Sequence, residues 1–417
     1  MSRHRIVVIG SGFGGATLVD SLRGLDVEIT LIDRRNHHLF QPLLYQVATA
    51  VLSPADIAWP IRRLFRDRGN VTTILGEVAN VDTLNQNVIL ADGNELPYDT
   101  LVLATGATHA YFGHEDWASA APGLKTVEDA LEIRSRILEA FEAAEKTGDP
   151  DEQDAFLTFA VIGGGPTGVE LAGMIAEIRS GPMRREFRRI DTRRARVLLV
   201  EAGPRLLAAF PPKLSDYARH ALERCRVEVR TGQPVTDCNR DHIVVNQSRI
   251  ACRTTIWAAG VKASSAALWL GTTADKAGRV IVDEQLSVPG RPGIFAIGDT
   301  ASVKQKDGSS VPGVAPAAKQ QAKYLAKLIR GRLRGKPGNE PAFVYRNQGS
   351  LATIGKHAAV VDFGWLTAKG WIAWWLWGVA HIFFLIGVRS RFSVAWNWLW
   401  VDLKGQRNAR LITGGPR

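Results

Sequence analysis

Two glycine turns, each followed by an acid at the end of the next apolar run, are the residues of this chain best suited to chemistry. Gly10-Ser11-Gly12-Phe13-Gly14-Gly15 follows the run Ile6–Ile9, and Gly163-Gly164-Gly165-Pro166-Thr167-Gly168 follows Phe159–Ile162. In this spacing the first glycine makes a tight turn and the second lets backbone approach a pyrophosphate. The third lets helix and strand pack closely. The helix that follows offers free N–H groups and a positive dipole end to phosphate. Asp33 ends the run Glu28–Ile32, and Glu201 ends Val197–Val200. A carboxylate in that place can accept a ribose hydroxyl. The chain therefore reads as binding two dinucleotides.

Further residues lie where backbone can meet a ligand. Leu101–Ala104 runs into Thr105-Gly106, Thr254–Ala258 runs into Ala259-Gly260, and Gly293–Ile297 delivers Gly298-Asp299. After two dinucleotide turns, Asp299 suits the ribityl chain of FAD, and Ala259-Gly260 suits a nicotinamide. A helix over Pro312–Lys327 would point its positive end at a flavin. Glu201 repels a 2′-phosphate and is followed by Ala202 and Gly203, which favours NADH over NADPH; Arg205 is a nearby cation.

The elements that must position these residues spell an α/β fold with two Rossmann-like dinucleotide-binding domains and a distinct C-terminal segment. The expected boundaries are 1–150, 151–275, 276–343 and 344–417, so that the first domain is interrupted by the second. Val71–Val78 and Asn87–Leu90 read as strands, Lys125–Ala144 as a helix and Lys146–Asp154 as a linker. Arg34–Gln46, with His37 and His38, reads as a loop over a cofactor rather than a metal site. The stretch Arg179–Arg196 holds eight arginines against one Glu and one Asp, a solvated or membrane-facing insertion.

The chain has 417 residues, 46% hydrophobic and 22% charged, room for several cores. Its net charge of +11 suits an acidic partner, nucleic acid or an anionic membrane surface, and the membrane rather than nucleic acid is the partner expected here. Cys225, Cys238 and Cys252 form no C-x-x-C pair, which speaks against a metal or disulfide framework. Eight of the 12 tryptophans lie between Trp365 and Trp400. Gly370–Val388 lacks formal charge over 19 residues, long enough to span a bilayer. Its early tryptophans and the arginines behind it suit a helix lying in the membrane interface better. A face buried against a second copy, making a homodimer, is the third reading.

The order GSGFGG, ATG, GGGPTGVE, VEAGPRLL, WAAGV, AIGD resembles the two-dinucleotide-fold flavoproteins of the disulfide-reductase superfamily. Within it, Gln41–Ala50, Gly163–Gly173 and Val311–Gln321 resemble type II NADH dehydrogenase, the non-pumping NADH:quinone oxidoreductase. The resemblance implies FAD at Gly10, Gly12, Phe13, Gly14, Gly15, Asp33, Val78, Thr105, Gly106, Gly298, Asp299 and Ala315. It implies NADH at Gly163, Gly165, Pro166, Thr167, Gly168, Glu201, Ala259 and Gly260. Glu170 matches the family's glutamate beside the flavin; read from its position alone, it is a helix acid satisfied by the dipole. Gln320 and Gln321 are quinone-side candidates, although Pro316 replaces the first glutamine of the family's motif. Lys356 resembles the family's lysine near the quinone headgroup, and a snorkelling surface lysine accounts for it equally.

These residues imply hydride transfer from C4 of nicotinamide to flavin N5, then two electrons to a membrane quinone. The place implied is the respiratory chain, on the cytoplasmic face of the inner membrane. A sulfide:quinone oxidoreductase would need a redox cysteine pair by the flavin, and all three cysteines fall in the second domain. A slow redox-sensing flavoprotein is the remaining alternative.

Overall fold

The computed structural model describes residues 3–335, 341–405, 407 and 409–412. Two compact units divide the chain. The first holds residues 1–39, 58–108 and 261–348, and the second holds 40–57, 109–260 and 349–417. The return to the first unit thus comes at Val261, directly after the second sheet's last strand, earlier than residue 276.

The first unit is built on five parallel strands in the order Ile294–Ala296, Thr100–Leu103, His4–Ile9, Val27–Asp33, Val71–Leu75. Ile6, Val8, Ile29, Leu31 and Leu101–Leu103 are fully buried, as parallel strands covered on both faces must be. The strand expected over Val71–Val78 is two strands, ending at Leu75 and restarting at Val78. Gly76 interrupts it by donating its N–H to the Asp33 carbonyl (3.0 Å). Residues 34–46 are not a loop. They form a short strand His37–Leu39 in the first unit, then a turn Gln41–Leu43 and a helix Leu44–Ala48 in the second.

The second unit repeats the plan with four parallel strands, Val227–Thr231, Arg196–Glu201, Thr158–Ile162 and Thr254–Trp257. The Val127–Lys146 helix begins with a reciprocal cap, in which the Thr126 hydroxyl and the Asp129 carboxylate each accept the other's N–H. Part of the expected linker is instead a helix, Pro150–Phe156: Asp149 caps it and Pro150 takes the first position, where no N–H is missed. The arginine-rich stretch is folded onto this unit. Arg179 is buried and donates to the carbonyls of Ala195 and Cys225, and Arg193, Arg194 and Arg196 pair with Asp191, Asp154 and Glu228.

The last segment of the second unit is a three-stranded antiparallel sheet, Ser350–Thr353, Ala359–Asp362 and Thr367–Gly370, followed by the helices Trp371–Phe384 and Val388–Lys404. The 19-residue run is therefore broken near Leu385–Gly387. A helix of 14 residues is about 21 Å long, short of a hydrocarbon core of about 30 Å. Among the described residues no helix is long and apolar enough to cross a membrane. Each helix is two-faced. Ala373, Trp377 and Val394 are buried, whereas Trp371, Trp375, Val379 and Phe383, and Phe392, Trp396, Leu399 and Leu403, are exposed at helical spacing.

Candidate active site

Two cradles follow from the glycine turns, and they match atom for atom. Gly10 (φ 100°) and Gly163 (φ 113°) occupy the left-handed region, and a Cβ there would lie 2.3 Å from the Ala104 oxygen or 2.5 Å from the Ala258 oxygen. At Gly15 and Gly168 a Cβ would come 1.8 Å from the carbonyl oxygen of Gly10 or Gly163. At Gly12 and Gly165 it would meet nothing within 4 Å. Two glycines of each turn are thus demanded by the protein itself, while the middle one faces open space in front of a helix N-terminus. That is the shape a pyrophosphate needs.

The acids do more than the sequence suggests. Asp33 accepts from the Ser11 N–H (2.6 Å), the Ser11 hydroxyl (2.8 Å) and the Arg35 N–H (2.8 Å). Glu201 accepts from the Gly164 N–H (2.5 Å) and the Gly203 N–H (2.6 Å). In both units the carboxylate ties the second residue of the glycine turn to the residue two beyond itself. A carboxylate has about four lone-pair sites, so each still has room for a ribose hydroxyl. Arg205, the cation that could have welcomed a 2′-phosphate, is committed to the carbonyls of Phe210 and Ala208.

In the first unit, Gly106 (φ 70°) donates to the Thr300 hydroxyl at 2.8 Å, and Thr105 Oγ1 lies 2.5 Å from Ser264 Oγ. Gln321, buried, accepts the Gly298 N–H at 2.6 Å and so sets the turn that carries Asp299. Gln320 spends both ends of its amide on the backbone of Arg346 (2.9 and 3.0 Å). Both glutamines thus have structural employment, and their side chains are not presented as bare polar groups. Val78 is a core residue at the start of its strand, and Ala315 opens the helix Ala315–Leu333.

In the first unit, one of the two adjacent histidines expected over a cofactor takes a defined place. His38 is buried, donates Nδ1–H to the Ser11 carbonyl (2.7 Å), and leaves Nε2 buried with no partner among the described residues. Its ring meets Phe13 edge-on, and Lys319 lies over the Phe13 ring. Burial holds the imidazole below its usual range, that is, neutral. An open cradle, spare carboxylate capacity and an orphaned acceptor beside the turn fit a flavin adenine dinucleotide.

In the second unit, Pro166 and Thr167 open the helix Pro166–Ser180, which carries Glu170. Ala259 is exposed two residues beyond the Thr254–Trp257 strand, and the Phe112 ring lies so close over Gly260 that a Cβ there would be 2.3 Å from it. Phe112 stands at φ 55°, a left-handed position no composition rule would flag. Glu170 is not a dipole-satisfied surface acid. It is buried, accepts the Thr353 N–H at 3.4 Å, and burial pushes its carboxyl well above the usual range. The helix dipole favours the anion by about 0.3–1 kcal/mol at exposed sites, and here desolvation outweighs it. Lys356 donates to the Asp402 carbonyl (3.0 Å) and pairs with its carboxylate (3.1 Å), so it is tied to the last helix.

Because the folded state raises the Glu170 pKa, the folded chain binds more protons than the unfolded one between the ordinary and the raised value. Stability falls as pH rises through that window. Glu170→Gln should therefore make the protein harder to unfold by heat at neutral pH, with the gain vanishing below about pH 4. A gain that persists at acid pH would place the cause elsewhere.

The three cysteines hold no pair. Cys238 and Cys252 are buried, and burial pushes the Cys238 thiol up to about 12. Among the described residues no cluster could hold a metal ion.

Paired cradles of this kind, on two parallel sheets, define a two-dinucleotide-fold flavoprotein. Residues 4–322 match the pyridine nucleotide-disulphide oxidoreductase family, and residues 347–407 match the NDH2 C-terminal domain. The type II NADH:quinone oxidoreductase Ndh of Mycobacterium tuberculosis is 43% identical over 99% of this chain and 90% of its own length. The chain therefore belongs to the type II NADH:quinone oxidoreductase family. In fold it is similar to NDH2 from Plasmodium falciparum in complex with NADH (24% identity, TM-score 0.90, 99% and 100% of the two chains). The likeness to the sulfide:quinone oxidoreductase of Aquifex aeolicus is weaker, at 20% identity and TM-score 0.75 over 96% of each chain.

Proposed function

We propose that this protein oxidises NADH and reduces a membrane quinone through FAD, without pumping protons: NADH, a proton and quinone become NAD⁺ and quinol. The carrying observation is full-length relatedness to such an enzyme, with both cradles intact. FAD, when bound, supplies the two-electron relay between hydride donor and quinone. Gly12, the N–H groups of the Phe13–Ser21 helix, Asp33, Thr105, Gly106 and Asp299 hold it in the first unit. Gly165, the Pro166–Ser180 helix and Glu201 orient NADH in the second. Glu170 holds a proton on a buried carboxyl for the acceptor. The absence of a cysteine pair argues against the sulfide reading.

Purified protein loaded with FAD should oxidise NADH rapidly only when a quinone is supplied, and NADPH should serve at least tenfold worse. Negligible stimulation by quinone would sink the reading. Equal use of NADPH would sink the argument from Glu201 and Arg205.

The exposed stripes on the last two helices are assigned to lipid at the cytoplasmic face of the inner membrane, since indoles and basic residues suit that interface. Trp371→Glu with Phe383→Glu should cut co-sedimentation with anionic vesicles at least tenfold. If the pair instead lowers the mass in solution and leaves vesicle binding alone, the stripe is a dimer face.

A further inference from the structure

The two glycine cradles differ at one place. A Cβ on Gly10 would meet Ala104 and the Thr105 nitrogen, and a Cβ on Gly163 would meet Ala258 and the Ala259 Cα. Each turn therefore rests on the run that leaves a neighbouring strand, Ala104-Thr105-Gly106 in one unit and Ala258-Ala259-Gly260 in the other. At Gly106 a Cβ would meet no described residue within 4 Å, whereas at Gly260 it would lie 2.3 Å from the tip of the Phe112 ring. The second cradle thus carries an aromatic wall where the first is open. Phe112 and Gly260 both belong to the second unit.

The strand order says what that wall faces. The second glycine turn follows Thr158–Ile162, which pairs with Arg196–Glu201 on one side and with Thr254–Trp257 on the other. A dinucleotide with its pyrophosphate on the turn and its adenosine ribose at Glu201 must run out on the opposite side. That side is Ala258–Gly260, where Ala259 is exposed. The nicotinamide half therefore falls beside Gly260 and the Phe112 ring.

The backbone holds Phe112 there under strain. The Tyr111 carbonyl accepts the His114 N–H at 3.1 Å, closing a tight turn whose central residues, Phe112 and Gly113, have φ of 55° and 95°. Turns with both central residues at positive φ favour Gly, Asn and Asp, and a bulky side chain is crowded in them. Burial does not offset that crowding, since Phe112 is 70% exposed. Its neighbour anchors the turn instead: Tyr111 stacks on Trp257 with ring centroids 5.0 Å apart and donates its hydroxyl to the Ala121 carbonyl. Strain kept at an exposed position points to a side chain retained for what it touches.

We propose that Phe112 is a substrate-binding residue: its ring is the apolar wall against which the nicotinamide half of NADH packs beyond Gly260. The inference rests on the proposed binding of NADH in the second unit. An aromatic wall suits a flat ring, and it leaves the contacts of the adenosine and the pyrophosphate untouched.

The test compares ligands with and without nicotinamide by calorimetric titration of full-length FAD-loaded protein. NAD⁺ carries the ring and cannot reduce the flavin, whereas ADP-ribose ends at the second ribose. Phe112→Ala should weaken NAD⁺ about tenfold, the scale of one aromatic contact, and change ADP-ribose less than about twofold. KM for NADH should rise in step, with KM for quinone unmoved. Phe112→Tyr should keep both affinities. Phe112→Asn suits the turn, so it should lose NAD⁺ affinity as the alanine does while unfolding at a higher temperature than wild type. Equal weakening of both ligands in Phe112→Ala would mean that the cradle itself is disturbed. Unchanged or tighter NAD⁺ binding would mean that the ring merely fills the space. Either result overturns the proposal and leaves the function standing. If Phe112→Ala fails to fold, Phe112→Asn is read in the same way. Wild-type protein that binds neither ligand would instead sink the reading of function itself.

Discussion

Gly12→Val should yield a folded, colourless protein, and Gly165→Val a yellow one that no longer turns over NADH. Both middle glycines have ordinary φ values (−65° and −72°) and open space where a Cβ would go. Neither substitution therefore strains the chain, and the cost to stability is that of a poor helix cap, about 1 kcal/mol or less. The valine methyl groups occupy the volume through which a pyrophosphate must approach the backbone. Loss of that approach should weaken the dinucleotide at least a hundredfold, about 2.8 kcal/mol. Flavin absorbance after gel filtration reads the first variant. For the second, flavin content should stay at one per chain while KM for NADH rises out of range. Gly15→Ala is the contrast: its methyl would lie 1.8 Å from the Gly10 oxygen, so the fold itself should suffer. If Gly12→Val still holds FAD, the first cradle is not the flavin site. If Gly165→Val loses FAD and keeps NADH affinity, the two assignments are reversed.

Arg407→Met should destabilise the protein by about 3–5 kcal/mol, the usual cost of leaving one buried charge without its partner. Arg407 is buried, donates to the carbonyls of Thr49 (2.9 Å) and Met174 (3.3 Å), and pairs with Glu177 at 3.1 Å. It ties the end of the tail to the Pro166–Ser180 helix. Burial works against both partners, pushing the Glu177 carboxyl up and the Arg407 guanidinium down. The pair is a specific latch and a poor source of net stability. Two consequences follow. Adding Glu177→Met to Arg407→Met should recover most of the loss, because two apolar side chains need no desolvation. The single variant should also be penalised most at high pH and least near pH 4, since acid supplies Glu177 with the proton that replaces its missing partner. Thermal unfolding across pH checks both. A loss independent of pH, not recovered by the double variant, would mean that the latch works through packing alone.

The Pro166–Ser180 helix meets the tail at a second point. A Cβ on Gly173 would lie 2.6 Å from the Gly355 nitrogen, so backbone rests on backbone there. The C-terminal segment is thus docked on the helix that opens at the second glycine cradle, through a glycine contact and a buried ion pair. What joins the tail to that helix is close backbone packing and a specific ion pair, not a net gain from burying the two charges.

Some of this could be read from residue order alone. The two βαβ starts, their glycines and their acids were legible because the motif is local: strand, turn and helix lie within about thirty residues, and the acid closes the next strand. The expectation of NADH over NADPH came from the sign of one side chain, and the expectation of an interfacial tail from the tryptophan bias. Residues that act through distant partners were not legible. That Gln320 clamps Arg346, that Gln321 holds the Gly298 turn, and that Lys356 is tied to Asp402 depend on segments meeting in space. So does the burial of Glu170, which turns a helix acid into a carboxyl that keeps its proton. The hydroxyls of Tyr45 and Thr353 lie 2.9 Å apart although the residues are 308 positions apart in the sequence. Local sequence sets dihedrals and faces, but desolvation and the direction of a hydrogen bond belong to the packed arrangement. Those are the terms that decide which groups can hold a proton here.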